Sequence, residues 1–135
     1  MPNSTNSNQA LATSSVSTGQ PFGYTTKQGA AVTQITNRAT GVTINAMCGT
    51  ITTDSTSLAA EASAKFVVTN SFVKIGDVVA VSIQSGTIAL NTDVVVSAVA
   101  AGSFTITVIN NNVASGTAET GAILINFAII RAVSA

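Results

Sequence analysis

The chain has no histidine, no tryptophan, one cysteine and two prolines, and only 7% of its 135 residues are charged. Each shortage removes a class of function. Without histidine, the commonest general base, the usual partner of a serine or cysteine nucleophile and the commonest zinc ligand are all missing. Cys48 alone cannot form an intrachain disulfide, so the fold is not tied to an oxidising compartment. Set beside Gly49 and among Ala46, Met47 and Ile51, it reads as a small buried hydrophobe. Aromatic residues at 4% leave little to stack on sugar rings. Five basic against five acidic residues give no electrostatic footprint for a nucleic acid. No apolar run approaches the roughly 18 residues that span a bilayer, and the N-terminal stretch lacks the basic start and apolar run of a signal peptide. A soluble protein without nucleic-acid or membrane partners is expected.

The acids are no more suggestive of chemistry. Asp54, Glu61, Asp77, Asp93 and Glu119 are too scattered for a calcium loop, and Gly76, Gly86, Gly102, Gly116 and Gly121 are isolated and form no phosphate-binding run. Asp54-Ser55-Thr56 and Gly76-Asp77 read as turn formers near strand ends. No catalytic, metal or cofactor-binding residue is nominated, no cofactor is implied, and the chain is not expected to be an enzyme.

What the chain does contain is 46% hydrophobic residues interleaved with threonine, serine and asparagine. Near-zero net charge gives little colloidal self-repulsion, a smaller liability when much of the surface is covered in an assembly. Residues 1–24 are expected to form a flexible polar N-terminal arm, too sparse in apolar residues to secure a core element. The arm ends in Pro21-Phe22-Gly23-Tyr24, whose rings are suited to pin it to its own domain or to a neighbour.

Residues 25–135 are expected to form the folded domain. Period-2 segments separated by Gly, Asn, Asp and Ser predict strands at 31–36, 41–46, 49–53, 64–69, 77–85, 93–99, 103–110 and 122–131. In the seventh, Phe104, Ile106 and Val108 oppose Thr105, Thr107 and Ile109; in the last, Ile123, Ile125, Phe127 and Ile129 oppose Leu124, Asn126, Ala128 and Ile130. The fifth and sixth carry Val78-Val79-Ala80-Val81 and Val94-Val95-Val96, apolar on both faces, which suits central strands or strands covered by a second surface. Residues 56–64 suit a helical turn or a loop equally. The expected fold is all-β, a two-sheet antiparallel β-sandwich with jelly-roll connectivity. In a chain so poor in charge, Arg38 in a loop and Arg131 near the C-terminus join Phe22 and Tyr24 as candidates for partner contact.

Several segments together carry a resemblance. Gly29-Ala30-Ala31-Val32-Thr33-Gln34, Thr40-Gly41-Val42-Thr43-Ile44-Asn45, Cys48-Gly49-Thr50-Ile51-Thr52, Phe66-Val67-Val68-Thr69-Asn70-Ser71, the run from Val96 through Gly102-Ser103-Phe104 to Ile106, and Ile125-Asn126-Phe127-Ala128-Ile129-Ile130 resemble, in this order, small virion proteins of tailed bacteriophages. The resemblance covers about residues 27–132. It implies a β-sandwich of the capsid cement or decoration type, a homodimer or homotrimer on the outer surface of the head that clamps major capsid subunits. Related domains also look like parts of head fibres or tail structures, so the alternative expectation is a head-fibre or tail-fibre domain that binds a host receptor or glycan. The arm lies outside the matched region.

Overall fold

The computed structural model describes residues 22–132. Eight strands form in chain order: β1 (Gly29–Thr33), β2 (Val42–Thr43), β3 (Cys48–Thr52), β4 (Ser63–Thr69), β5 (Val78–Ser85), β6 (Thr92–Ala100), β7 (Ser103–Asn110) and β8 (Leu124–Ile130). They make a two-sheet β-sandwich. Sheet I has the order β1-β3-β8-β5 and sheet II the order β2-β4-β7-β6.

The chain changes sheet at every step from β1 to β6, and only β6 and β7 follow one another within a sheet. Each crossing reverses the chain, so two crossings restore its direction. That is why β1 and β3 run parallel, as do β2 and β4, while the other four neighbouring pairs are antiparallel. The wholly antiparallel expectation is corrected at those two pairs, and this strand order does not confirm a jelly roll.

Alternation places the core as expected. Phe104, Ile106 and Val108 of β7 point inward with Phe66 and Val68 of β4, and meet Ile51 of β3 and Ile125, Phe127 and Ile129 of β8. Phe104 and Phe127 touch across the two sheets, their ring centroids 5.5 Å apart. Gly49 lets β1 lie close against β3, since a Cβ there would sit 2.3 Å from the Ala30 carbonyl oxygen.

One expectation changes. β5 and β6 are edge strands, not central ones: Val78 and Val95 are exposed on their outer sides, and each strand carries an irregularity in its pairing, between Ile83 and Ser85 and between Val96 and Ala98. Such bulges bend an edge and discourage further pairing. Residues 56–64 take the loop alternative: Leu58 pairs with Glu119 through two backbone bonds of 2.8 and 2.9 Å and is drawn extended, so no helix forms before β4. Of the expected N-terminal arm, residues 1–21 lie outside the described residues.

Candidate functional site

The sandwich has two ends, and the four nominated contact residues divide between them. One end, the 131 end, carries the starts of β1, β3 and β5 and the finish of β8. Here the Tyr24 hydroxyl donates to the carbonyl oxygen of Ile129, so the ring is seated on the finish of β8 and stays partly exposed. Burial, together with the neighbouring Cys48 and Asp77 and against the pull of Arg131, holds the phenol above its ordinary pKa. Phe22, two residues earlier, is exposed.

Arg131 lies beside Asp77, Nε to Oδ1 at 2.7 Å, a charge contact without hydrogen-bond alignment, and donates from Nη2 to the Phe72 carbonyl at 2.8 Å. Asp77 Oδ2 accepts from Lys74 N at 2.9 Å and closes the turn through Gly76, the turn-forming role expected of it. The structure thus brings Tyr24 and Arg131 together, with the exposed side chains of Phe72, Val78 and Ile130 on elements they touch or continue.

Arg38 is at the opposite end, the 119 end, and is no surface residue: it is 3% exposed. Its guanidinium donates to the carbonyls of Thr56, Glu119 and Gly121 and to the hydroxyl of Thr53. Two loops bring these carbonyls together, Thr56 from the link between β3 and β4 and Glu119 and Gly121 from the link between β7 and β8, and the planar five-donor fork of arginine can reach them all. Its nomination as a partner contact is corrected on that ground. Burial pulls the guanidinium below its ordinary pKa, and the carboxylates of Glu119 and Asp54 push it back.

Glu119, fully buried, is the second charge at this end. Its carboxylate accepts from Ile88 N at 2.9 and 3.1 Å, Ala89 N at 3.2 Å, Gly121 N at 3.2 Å and the Thr92 hydroxyl at 2.7 Å. Burial pushes the carboxyl up, but these bonds together outweigh it and leave the pKa below the ordinary value. An ionised, buried carboxylate with both oxygens engaged has no proton to give and no lone pair turned to solvent. Its chemistry is that of an anchor for loops 86–91 and 119–121.

The two outer sheet faces differ. On sheet I the rows run Gly29, Cys48, Ala128, Ala80, then Ala31, Thr50, Asn126, Ser82, then Thr33, Thr52, Leu124, Ser85, with no Asp, Glu, Lys or Arg among them. Cys48 is half-buried on this face, less covered than its sequence setting suggests. Sheet II carries a shallow hollow of about 570 Å³ whose lining includes Lys65, Val67, Ser97, Ala98, Thr105 and Thr107. Among the described residues no group of three or more His, Cys, Asp or Glu side chains is placed to hold a metal.

Sequence reasoning missed Glu119 as an organising residue, and it missed the exposed Ile88, Leu90 and Val113 at the 119 end. The available signal was a lone acid set between Thr117-Ala118 and Thr120-Gly121 in a chain nearly free of charge, and an aliphatic run in a predicted loop. No family model, no curated protein and no solved structure matches the chain.

Proposed function

We propose that this chain is a capsid cement protein of a tailed bacteriophage, acting on the outer surface of the head. As a homodimer or homotrimer it bridges major capsid subunits without making or breaking a bond, and so stabilises the shell against the pressure of packaged DNA. The observation that carries the reading is the outer face of sheet I, three rows of small or uncharged side chains across four strands. An uncharged face of this kind admits another protein surface closely without stripping water from a charge. Modest contacts of this sort become effective when a symmetric oligomer makes several at once. The resemblance of residues 27–132 to small virion proteins supports the same reading.

The test is made on viral heads purified with and without the protein. Cement action requires the chain on the particle and an earlier loss of DNA on heating when it is missing; equal resistance without it sinks the reading.

A second reading, a head-fibre or tail-fibre domain that binds a host receptor or glycan, is favoured by the hollow on sheet II, where Lys65 and the hydroxyl residues Ser97, Thr105 and Thr107 meet. A glycan array free of signal would remove it.

A further inference from the structure

The sandwich has four edge strands, β1 and β5 in sheet I and β2 and β6 in sheet II. An exposed edge is a row of unpaired backbone groups open to another strand, and edges are ordinarily blunted by bulges, charges, proline or shortness. Three of the four are blunted. β5 and β6 carry irregular pairing, β6 also bears Asp93, and β2 is two residues long. β1 has none of these devices: Gly29-Ala30-Ala31-Val32-Thr33 runs in unbroken register with β3, without charge or proline, and all but Val32 are exposed.

The outward groups on this edge are those of Gly29, Ala31 and Thr33. Gln34 N donates to the Thr52 carbonyl at 2.9 Å, so along the strand the amides and carbonyls of Ala30, Val32 and Gln34 turn toward β3, and those of the alternate residues turn away from it. On that side β1 is the last strand of its sheet. The chain leading into β1 is held elsewhere: the Tyr24 hydroxyl is bonded to Ile129 of β8, which lies beyond β3 from this edge.

A row spaced in this way is complementary to itself when reversed, and β1 of a second copy supplies the reversed row. With Ala31 facing Ala31 across a twofold axis, Gly29 of each copy faces Thr33 of the other, and every outward amide meets an outward carbonyl. The side chains agree with that register: Ala31 meets only Ala31 on the outer face, and on the inner face Val32 of one copy lies beside Ala30 of the other. The flanking charges agree as well. Lys27 precedes the strand, and Asp54, whose amide donates to Gln34 Oε1 at 3.0 Å, stands beside its finish. Antiparallel pairing turns Lys27 of each copy toward the end that holds Asp54 of the other, whereas parallel pairing would set like charge toward like. We propose that the chain forms a twofold dimer through β1, the two copies of sheet I joining into one continuous sheet.

The dimer does not rest on the cement reading and goes beyond it, naming the interface and selecting two copies over three, because a threefold axis cannot set β1 antiparallel to itself. It also joins the uncharged rows on the outer face of sheet I into one surface of twice the width. A five-residue edge buries less than the roughly 800 Å² per partner of a standard interface, so the dimer should dissociate with a Kd on the order of micromolar.

The experiment pairs sedimentation of the full chain over a wide concentration range with residue-resolved amide exchange at its two extremes. The mass should rise from 13.5 kDa to twice that value, and exchange at Ala31 and Thr33 should slow by at least about tenfold only where the dimer is populated. Ala31→Pro removes a donor that turns away from β3, so the ladder within the chain is kept and dimer dissociation should rise by at least about tenfold. Ala31→Lys sets two like charges face to face across the axis and should do the same; it carries the test if circular dichroism shows the proline variant unfolded. A monomer at every concentration, a trimer, or a dimer whose Ala31 and Thr33 amides exchange freely overturns the assignment. Protection of those amides that is independent of concentration also overturns it, because the chain's own residues 1–21 then cover the edge. The cement reading is decided separately, on viral heads.

Discussion

The two ends of the sandwich each fix a charged residue, and they do so in opposite ways. At the 131 end a half-exposed arginine, 43% accessible at its side chain, lies against a buried aspartate, charge to charge. At the 119 end Arg38 and Glu119 are both buried, yet their charged groups do not pair; each is surrounded by backbone groups and hydroxyls from several loops. Arg131 is a latch at a rim, where solvent and salt compete for it. Arg38 and Glu119 replace water for loops that cross the end of the sandwich, and nothing competes with them. The lesson is that in a chain with so few charges, the buried ones set loop geometry, and the half-exposed ones only restrain it.

That difference is broken most severely at Arg38. Arg38→Met keeps the bulk but orphans the carbonyls of Thr56 and Gly121 and leaves that of Glu119 with Leu58 N alone, and should cost about 3–5 kcal/mol of stability, the range seen when one member of a buried charged network is removed. Urea denaturation followed by circular dichroism reads this directly. Arg38→Lys should recover little, since one ammonium cannot reach four acceptors set around a planar fork. A loss below about 1 kcal/mol, the range of exposed charges, would erase the distinction between the ends.

Glu119→Gln comes next, at about 2–3 kcal/mol, because the amide can present only one acceptor oxygen to the donors that now share two. The variant also sharpens the comparison through pH. The folded carboxyl sits below its ordinary value of 4.5, so the unfolded chain binds the proton more readily. Stability from Glu119 is therefore complete above that value and drains away as pH falls through the folded pKa. Asp54, held low by the hydroxyl and amide of Thr56, adds to the same slope. Wild type should lose stability steeply on acidification below about pH 4.5, and Glu119→Gln should lose distinctly less over the same span.

Most of the sandwich is legible in the sequence, because strands with one dry and one wet face announce themselves. β7 alternates Phe104, Ile106 and Val108 with Thr105 and Thr107, and β8 alternates Ile125, Phe127 and Ile129 with Asn126 and Ala128; both are central strands. Periodicity cannot say where a strand sits in its sheet, however. Val78-Val79-Ala80-Val81 reads as doubly buried but occupies an edge, where the outer valine is exposed among the described residues. The candidate site was less legible for a related reason. Arg38 owes its burial to carbonyls 81 and 83 positions away in the chain, and the loop of Ile88 and Ala89 owes its path to a carboxylate 30 and 31 positions away. Contacts of that range leave no local pattern. Tyr24 was readable as an anchor because an amphipathic ring beside a glycine marks a chain arriving at a domain.

At the 131 end the effects should be smaller and conditional. Arg131→Ala removes an ion pair and one bond to the Phe72 carbonyl, with an expected cost of about 1 kcal/mol in dilute buffer that shrinks as salt rises. Arg38→Met should show no such salt dependence. If the two responded alike to salt, the latch and the buried network would be the same kind of object.

Tyr24→Phe should have the least effect, about 0.5–1 kcal/mol, for one hydrogen bond to Ile129 on a partly exposed ring. It carries a pH signature opposite to that of Glu119. The folded phenol lies above its ordinary value of 10.0, so its stabilisation is complete below that value and lost as pH rises through the folded pKa. Wild type should weaken on strong alkalinisation more than Tyr24→Phe does. With one tyrosine and no tryptophan in the chain, tyrosinate absorbance reports this site alone. An ordinary midpoint in that titration would mean the ring is not seated on the finish of β8, and that the chain reaches the domain elsewhere.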